Sequence, residues 1–214
     1  MSFRTIFFRH PLVLFLSALC LLMPALNSMA QSQDRSLEKY DIDQTTGFRM
    51  QRYRAPVPDD IPGAETISNN QALKLHQQKA AIFLDVYPPR GLGPDPLDGH
   101  WIISEERYTI PGSIWLPEVG RGSLEADALE YYSRNLDRLS GGDKNTQFVI
   151  FCTADCWQSW NASRRATQLG YTRVHWYPLG TDGWLETDND LVKAMPVNFI
   201  DDTIPESTET VPSR

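Results

Sequence analysis

The clearest hydrophobic pattern in the chain runs from Gln147 to Gly170. Phe148, Val149, Ile150 and Phe151 are consecutive apolar residues that favour strands, and they end at Cys152. A run without alternation predicts a strand covered on both faces, as in a parallel sheet. Thr153, Ala154 and Asp155 then form a short loop to Cys156. Trp157 to Leu169 reads as a helix, which Gly170 stops. Ala80 to Val86 (AAIFLDV) repeats the strand pattern, with Asp85 near its end.

Weaker elements surround these two. Ala64 to Ser68 predicts a short strand. Asn69 or Asn70 can cap the next helix, which carries Ala72, Leu73, Leu75 and His76 as a partial stripe. Tyr87 to Asp98 reads as loop, and His100 to Ile103 as a small strand or extended insertion. Ile110 to Leu116 is a Pro-Gly turn leading into a third apolar strand. Leu124 to Leu139 predicts a helix that ends at Gly141-Gly142. Arg173 to Tyr177 is a last strand, Pro178 to Trp184 a loop, and a short helix then reaches Met195-Pro196. Alternating strands and helices predict an α/β domain with a mostly parallel central sheet flanked by helices.

The flanks differ in composition. Arg4 and Arg9 precede an apolar stretch from Pro11 to Leu26, followed by Ser28-Met29-Ala30. This is the order of a cleaved secretory signal, expected over residues 1–30. The apolar stretch is short for a membrane span, so no stable span is expected after cleavage. An uncleaved anchor and a lipid on Cys20 are the alternatives, the latter opposed by the bulk of Leu19. Residues 31–62 form a polar leader that ends in the strap Tyr53-Arg54-Ala55-Pro56-Val57-Pro58. Its prolines favour extended backbone, suited to packing across the domain or to docking a partner. The domain is expected over 63–196, and 197–214 as an acidic disordered tail.

Charge and cysteine content narrow the chemistry. Removing residues 1–30 takes the net charge from −7 to −9 and argues against nucleic-acid binding. It also leaves two cysteines, Cys152 and Cys156. In an oxidising compartment two cysteines four apart are either a redox pair or one reactive thiol with a neighbour. A thiol between a strand end and a helix start faces backbone N–H groups that favour its ionised form. Cys156 is either a resolving thiol or a packed small side chain. Bridging requires Cα atoms roughly 4.4–6.8 Å apart. Without a nearby His, the pair makes an incomplete zinc site, so no metal centre is expected. Two thiolates leave copper(I) open.

Several segments, in order, resemble single-domain rhodaneses. They are Thr66-Ile67-Ser68 with its helix, Phe83-Leu84-Asp85-Val86, Ile110-Pro111-Gly112-Ser113-Ile114, and Val149-Ile150-Phe151-Cys152. Gly170-Tyr171, Val174 and Gly180 to Trp184 complete the set. The resemblance implies a rhodanese-like fold with Cys152 as nucleophile, taking a sulfane sulfur and passing it on. The exported chain, the Tyr-Arg-Ala-Pro strap and Cys156-Trp157 with Ser159-Trp160-Asn161-Ala162 are similar to PQQ-dependent catabolism-associated CXXCW motif proteins. Here three residues separate the cysteines, where that description has two. This likeness implies a periplasmic setting and association with PQQ through a partner dehydrogenase, with no cofactor of the chain's own. A small thiol or sulfur compound is the other expected partner.

The chain departs from the sulfurtransferase pattern. No basic residue lies between Cys152 and Arg164, and Asp155 sits in the loop. A carboxylate there repels an anionic donor and disfavours the thiolate, which speaks against thiosulfate-to-cyanide transfer. Tyr87 stands where the family often has Arg, and Thr109 where it usually has His. The loop interval is one residue longer than usual, as in rhodanese-fold phosphatases, but phosphoryl transfer also calls for the missing arginine. Two enzyme readings remain, sulfur transfer and thiol redox chemistry, beside a non-catalytic module that binds a quinoprotein dehydrogenase or its cofactor. For that module, Trp157 and Trp160 would form a stacking wall, although packing is the favoured reading of both. Gln158 belongs to the same loop-to-helix segment, and Asn161 is placed to bond loop backbone.

Overall fold

The computed structural model describes residues 39–203 and 210–211; the signal assigned to residues 1–30 lies outside them. Five parallel strands make the central sheet. They are β1 (Glu65–Thr66), β2 (Ile82–Asp85), β6 (Ile114–Trp115), β7 (Phe148–Phe151) and β8 (Val174–Tyr177), in spatial order β1-β8-β7-β2-β6. β7 lies in the middle, with Phe151 opposite Asp85 on one side and Tyr177 on the other.

The unbroken apolar runs follow from cover on both faces. Leu84, Phe148 and Ile150 join a core with Tyr131, Tyr132 and Leu136 of α2 (Ala126–Ser140) and Ala162 and Ala166 of α3 (Trp157–Gln168). Phe83, Val149 and Phe151 point the other way. They meet Ala72 of α1 (Asn69–Gln77) and Trp184 of α4 (Gly180–Leu185). The chain is thus an α/β fold with a parallel sheet flanked by helices.

Local signals set the helix ends. Ser68, rather than Asn69 or Asn70, caps α1: its hydroxyl accepts from Gln71 N–H, while the Gln71 side chain accepts from Ser68 N–H. That reciprocal capping box satisfies two donors at once, an advantage neither asparagine offers. Gly141 ends α2 in the left-handed conformation, as the Gly-Gly stop predicts.

Four expectations need correction. Tyr87 to Asp98 contains β3 (Gly91–Pro94), which pairs antiparallel with β4 (Trp101–Ile103). α4 occupies part of the expected loop, and the expected helix before Pro196 is instead β9 (Leu191–Ala194), paired antiparallel with β5 (Arg107–Thr109). Val192 and Ala194 are buried and alternate with half-buried neighbours, so an available strand edge overrode short-range helical preference. β10 (Thr210–Val211) extends this second sheet.

The fourth correction concerns the tail. Residues 197–203 pack on the domain. Val197 N–H donates to the Trp115 carbonyl at 3.0 Å. Phe199 packs against Trp101 and Tyr131, and Arg134 Nη2 donates to Asp202 Oδ1 at 2.9 Å. One aromatic ring and one acid matched to an arginine anchor a segment whose composition alone reads as disordered. Among the described residues, no helix is long and apolar enough to cross a membrane.

Candidate active site

β7 delivers Cys152 to the C-terminal end of the sheet, and α3 begins just after Cys156. Between them the chain closes on itself: Cys152 and Cys156 form a disulfide with Cα atoms 6.2 Å apart. That separation falls within the range a bridge allows. Both residues are buried, Cys152 at 0% exposure and Cys156 at 2%.

The Cys152 carbonyl anchors the base of the loop. It accepts from Thr181 N–H at 3.0 Å, and Arg107 Nη2 approaches it at 3.4 Å. α4 can come this close only because its first residue is Gly180, at φ +51; a Cβ there would lie 2.2 Å from the same carbonyl oxygen. Ala154 N–H donates to Asp182 Oδ2 at 2.9 Å. Asp155, in the left-handed region at φ 52, is exposed at the crown of the loop.

The strap lies directly over this loop. Ala55 N–H donates to the Asp155 carbonyl at 3.2 Å, and Trp157 N–H donates to the Tyr53 carbonyl at 2.8 Å. Together they make a short antiparallel pairing of Arg54 with Cys156. Trp157 Nε1 and Trp160 Nε1, each at 3.1 Å, donate to the carbonyls of Pro56 and Asp60. A helix-start N–H that could face an anion is therefore taken by the protein's own backbone.

The strap also brings charge to the loop. Arg54 Nη1 donates to Thr153 Oγ1, and that hydroxyl stands 3.9 Å from Cys152 Sγ. The cation absent from the loop sequence thus arrives from ninety-nine residues away in the chain. A second arginine lies beneath. Asp85, fully buried, accepts from Arg107 Nε at 2.8 Å, Thr109 Oγ1 at 2.7 Å and Tyr87 N–H at 2.9 Å. The Arg107 guanidinium stacks 4.2 Å from the centre of the Tyr87 ring. Tyr87 and Thr109 thus belong to one network around the buried Asp85.

A family model described as Rhodanese-like domain matches residues 68–187, more than half of the chain. The chain belongs to the rhodanese-like domain family. No curated protein matches it. Among solved structures, the human single-domain sulfurtransferase TSTD1 is similar at 21% identity, covering 58% of this chain and 97% of that one, with a TM-score of 0.38. The polysulfide-sulfur transferase from Wolinella succinogenes is similar at 19% identity, covering 61% and 79%, with a TM-score of 0.37. A Rhodopseudomonas palustris protein described as a possible tyrosine phosphatase is similar at 19% identity, covering 63% and 98%, with a TM-score of 0.40.

For this rhodanese-like domain the structure brings Cys152, Thr153, Ala154, Asp155 and Cys156 together over Asp85. Gln158 is buried, and it lines an open groove of about 510 Å³ with Tyr53, Arg54, Tyr87, Arg121 and Cys156. Trp157 and Trp160 are buried and hold the strap, in line with packing and against the alternative of a stacking wall. One assignment changes. Asn161 bonds Arg49 N–H and the carbonyls of Arg49 and Gly120, away from the cysteine loop. Its helical position turns it toward the leader instead.

Arg54, Arg107 and Asp182 are the site residues that sequence reasoning missed. Arg54 stood inside the strap, where the Tyr-Arg-Ala-Pro pattern was the available hint. Arg107 follows Glu105 and Glu106 and reads there as part of a solvated charge run.

Proposed function

We propose that this chain is an exported, periplasmic rhodanese-like protein whose Cys152 and Cys156 cycle between dithiol and disulfide. The disulfide across the loop carries this reading. A closed bridge leaves Cys152 no free thiol to accept a sulfane sulfur, so reduction must precede any sulfur transfer. Arg54, bonded to Thr153, places positive charge near a sulfur that becomes a thiolate on reduction, and that favours the reduced partner of a cycle, whereas Arg107 below is matched by Asp85. The likeness to the CXXCW motif proteins and the signal-like pattern of residues 1–30 support a setting in periplasmic alcohol oxidation by PQQ-dependent dehydrogenases. In that setting PQQ belongs to the partner, and the electrons exchanged here move as thiol pairs.

Family membership favours sulfur transfer as the second reading. Once reduced, Cys152 stands at the end of β7 as the thiol on which a persulfide forms. One experiment addresses both: intact mass and thiol titration of protein isolated from the periplasm of its host, before and after reductant. Dithiol–disulfide cycling predicts two thiols that appear only after reductant, with a gain of two hydrogens. A sulfur-mass adduct on Cys152 favours transfer. Two free, unreactive thiols before reductant contradict both readings.

A further inference from the structure

The two cysteines of the bridge are not equivalent. Cys156 forms part of the wall of the 510 Å³ groove, together with Tyr53, Arg54, Arg121 and Gln158. A neighbouring groove of about 270 Å³ shares Tyr87, Arg90, Thr153 and Asp182 with it. Cys152 lines neither groove and is fully buried. Access decides which sulfur of a disulfide is attacked.

The geometry points to Cys156 as the exchanging sulfur, with Cys152 as the buried partner that leaves and later re-forms the bridge. This deepens the thiol–disulfide reading above and rests on it. The family pattern would give the first role to Cys152.

In the proposed step a thiolate RS⁻ in the groove attacks Cys156 Sγ. The R–S–Sγ bond forms and the Cys156–Cys152 bond breaks. The electron pair goes to Cys152 Sγ, which leaves as a thiolate. A second RS⁻ then attacks the R-bearing sulfur and forms RSSR. Cys156 is freed as a thiolate, completing a two-electron reduction. In the oxidising direction Cys156 thiolate attacks RSSR and expels RS⁻. Cys152 thiolate then attacks Cys156 Sγ and expels the second RS⁻.

Each sulfur has the surroundings its part requires. Cys156 directly precedes the first turn of α3, where the positive end of the helix draws a thiolate inward and favours Cys156 in its ionised form. Cys152 has Thr153 Oγ1 at 3.9 Å. Because that hydroxyl accepts from Arg54, its own proton is free to turn toward Cys152 Sγ as negative charge develops. A leaving thiol of lower pKa departs faster. Thr153 and Arg54 are therefore positioning residues for the departing sulfur.

The groove also indicates the class of thiol. Arg90 pairs with Glu105 and Arg121 with Glu118, whereas Arg54 bonds a neutral hydroxyl. Among the described residues no ion pair engages Arg54, although Glu118 and Asp182 line the same groove, and Gln158, whose Oε1 is buried without a partner, lines it too. A low-molecular-weight thiol carrying a carboxylate and an amide N–H meets both.

The test uses glutathione on the oxidised wild-type chain under native conditions, followed by acid quench, alkylation and fragment mapping. The expected product carries glutathione on Cys156 and the alkyl group on Cys152. Glutathione on Cys152, or equally on both, overturns the assignment while thiol exchange stands. Absence of any reduction defeats the exchange reading itself. Should the mixed disulfide resolve too fast to trap, C152S and C156S, each checked for native circular dichroism, are treated with oxidised glutathione. The free Cys156 of C152S should react at least about tenfold faster than the free Cys152 of C156S, as access and the helix terminus require; equal or reversed rates overturn the assignment. T153V and R54Q should raise the pH midpoint for alkylation of Cys152 in C156S. R54Q should also slow glutathione roughly fivefold relative to cysteamine, when rates are compared per thiolate. An unmoved midpoint in both variants removes the roles given to Thr153 and Arg54.

Discussion

Arg107 Nε donates to Asp85 Oδ2 at 2.8 Å, with the arginine side chain 9% exposed and the carboxylate fully out of solvent. This pair joins two elements that share no sheet: β2 of the parallel sheet and β5 of the antiparallel one. It fixes the floor on which the cysteine loop stands, since the same guanidinium reaches toward the Cys152 carbonyl. Removing one partner strands a buried charge. R107M should therefore cost about 3–5 kcal/mol, measured by urea unfolding. A loss well under 1 kcal/mol would mean that water reaches Asp85 in the variant.

The bridge itself should stabilise the fold modestly. A ring this short removes little chain entropy from the unfolded state, about 2 kcal/mol. The urea midpoint in reductant should fall accordingly while the protein stays folded. Global unfolding on reduction would make the bridge a structural staple.

Trp157 and Trp160 hold the strap through their indole N–H groups. W160F keeps an apolar ring but leaves the Asp60 carbonyl without that donor, a loss of about 1 kcal/mol. The strap should then be cut faster by protease in limited digestion, with the domain resistant as before. Unchanged cleavage would show that the paired backbone of Arg54 and Cys156 suffices to hold the strap.

G180A tests the close approach beneath Cys152. The added Cβ meets the Cys152 carbonyl and occupies a left-handed backbone position, and strain with overpacking costs on the order of 1–3 kcal/mol. Chemical denaturation measures the loss. Native reduction of the bridge should also change its rate, because Thr181 N–H, which holds that carbonyl, must move.

His175 gives a pH dependence of known sign. Burial pushes its imidazole below the ordinary value of 6.5, and Glu65 partly opposes the shift. The unfolded chain therefore binds more protons between the lowered value and 6.5. Stability falls as pH drops through that window. Urea midpoints from pH 7.5 down to 5 should decline less steeply in H175Q than in the wild type.

Much of the sheet and the loop was legible because their signals are local. The unbroken runs at Phe148–Phe151 and Ile82–Asp85 reflect cover on both faces, and the Gly stops at 141 and 170 end their helices. Leu191–Ala194 was misread because four residues carry little periodic information and the strand forms only against β5. The site was legible as two cysteines before a helix. Its charges were not: Arg54 and Arg107 reach the loop through pairings across 99 and 45 residues. Nothing local distinguishes them from solvated arginines. Trp157 and Trp160 were equally ambiguous until the strap gave their indole N–H groups fixed partners.

Cys152 and Cys156 should cycle between dithiol and disulfide within the folded protein. Equilibration of the native chain in glutathione buffers of graded ratio tests it most directly, with the bridged fraction read by alkylation mass and the fold followed by circular dichroism. The expected result is a complete, reversible two-electron transition at constant fold, with a tenfold change in equilibrium constant per ~30 mV. A bridge that resists reduction until the chain unfolds would contradict it.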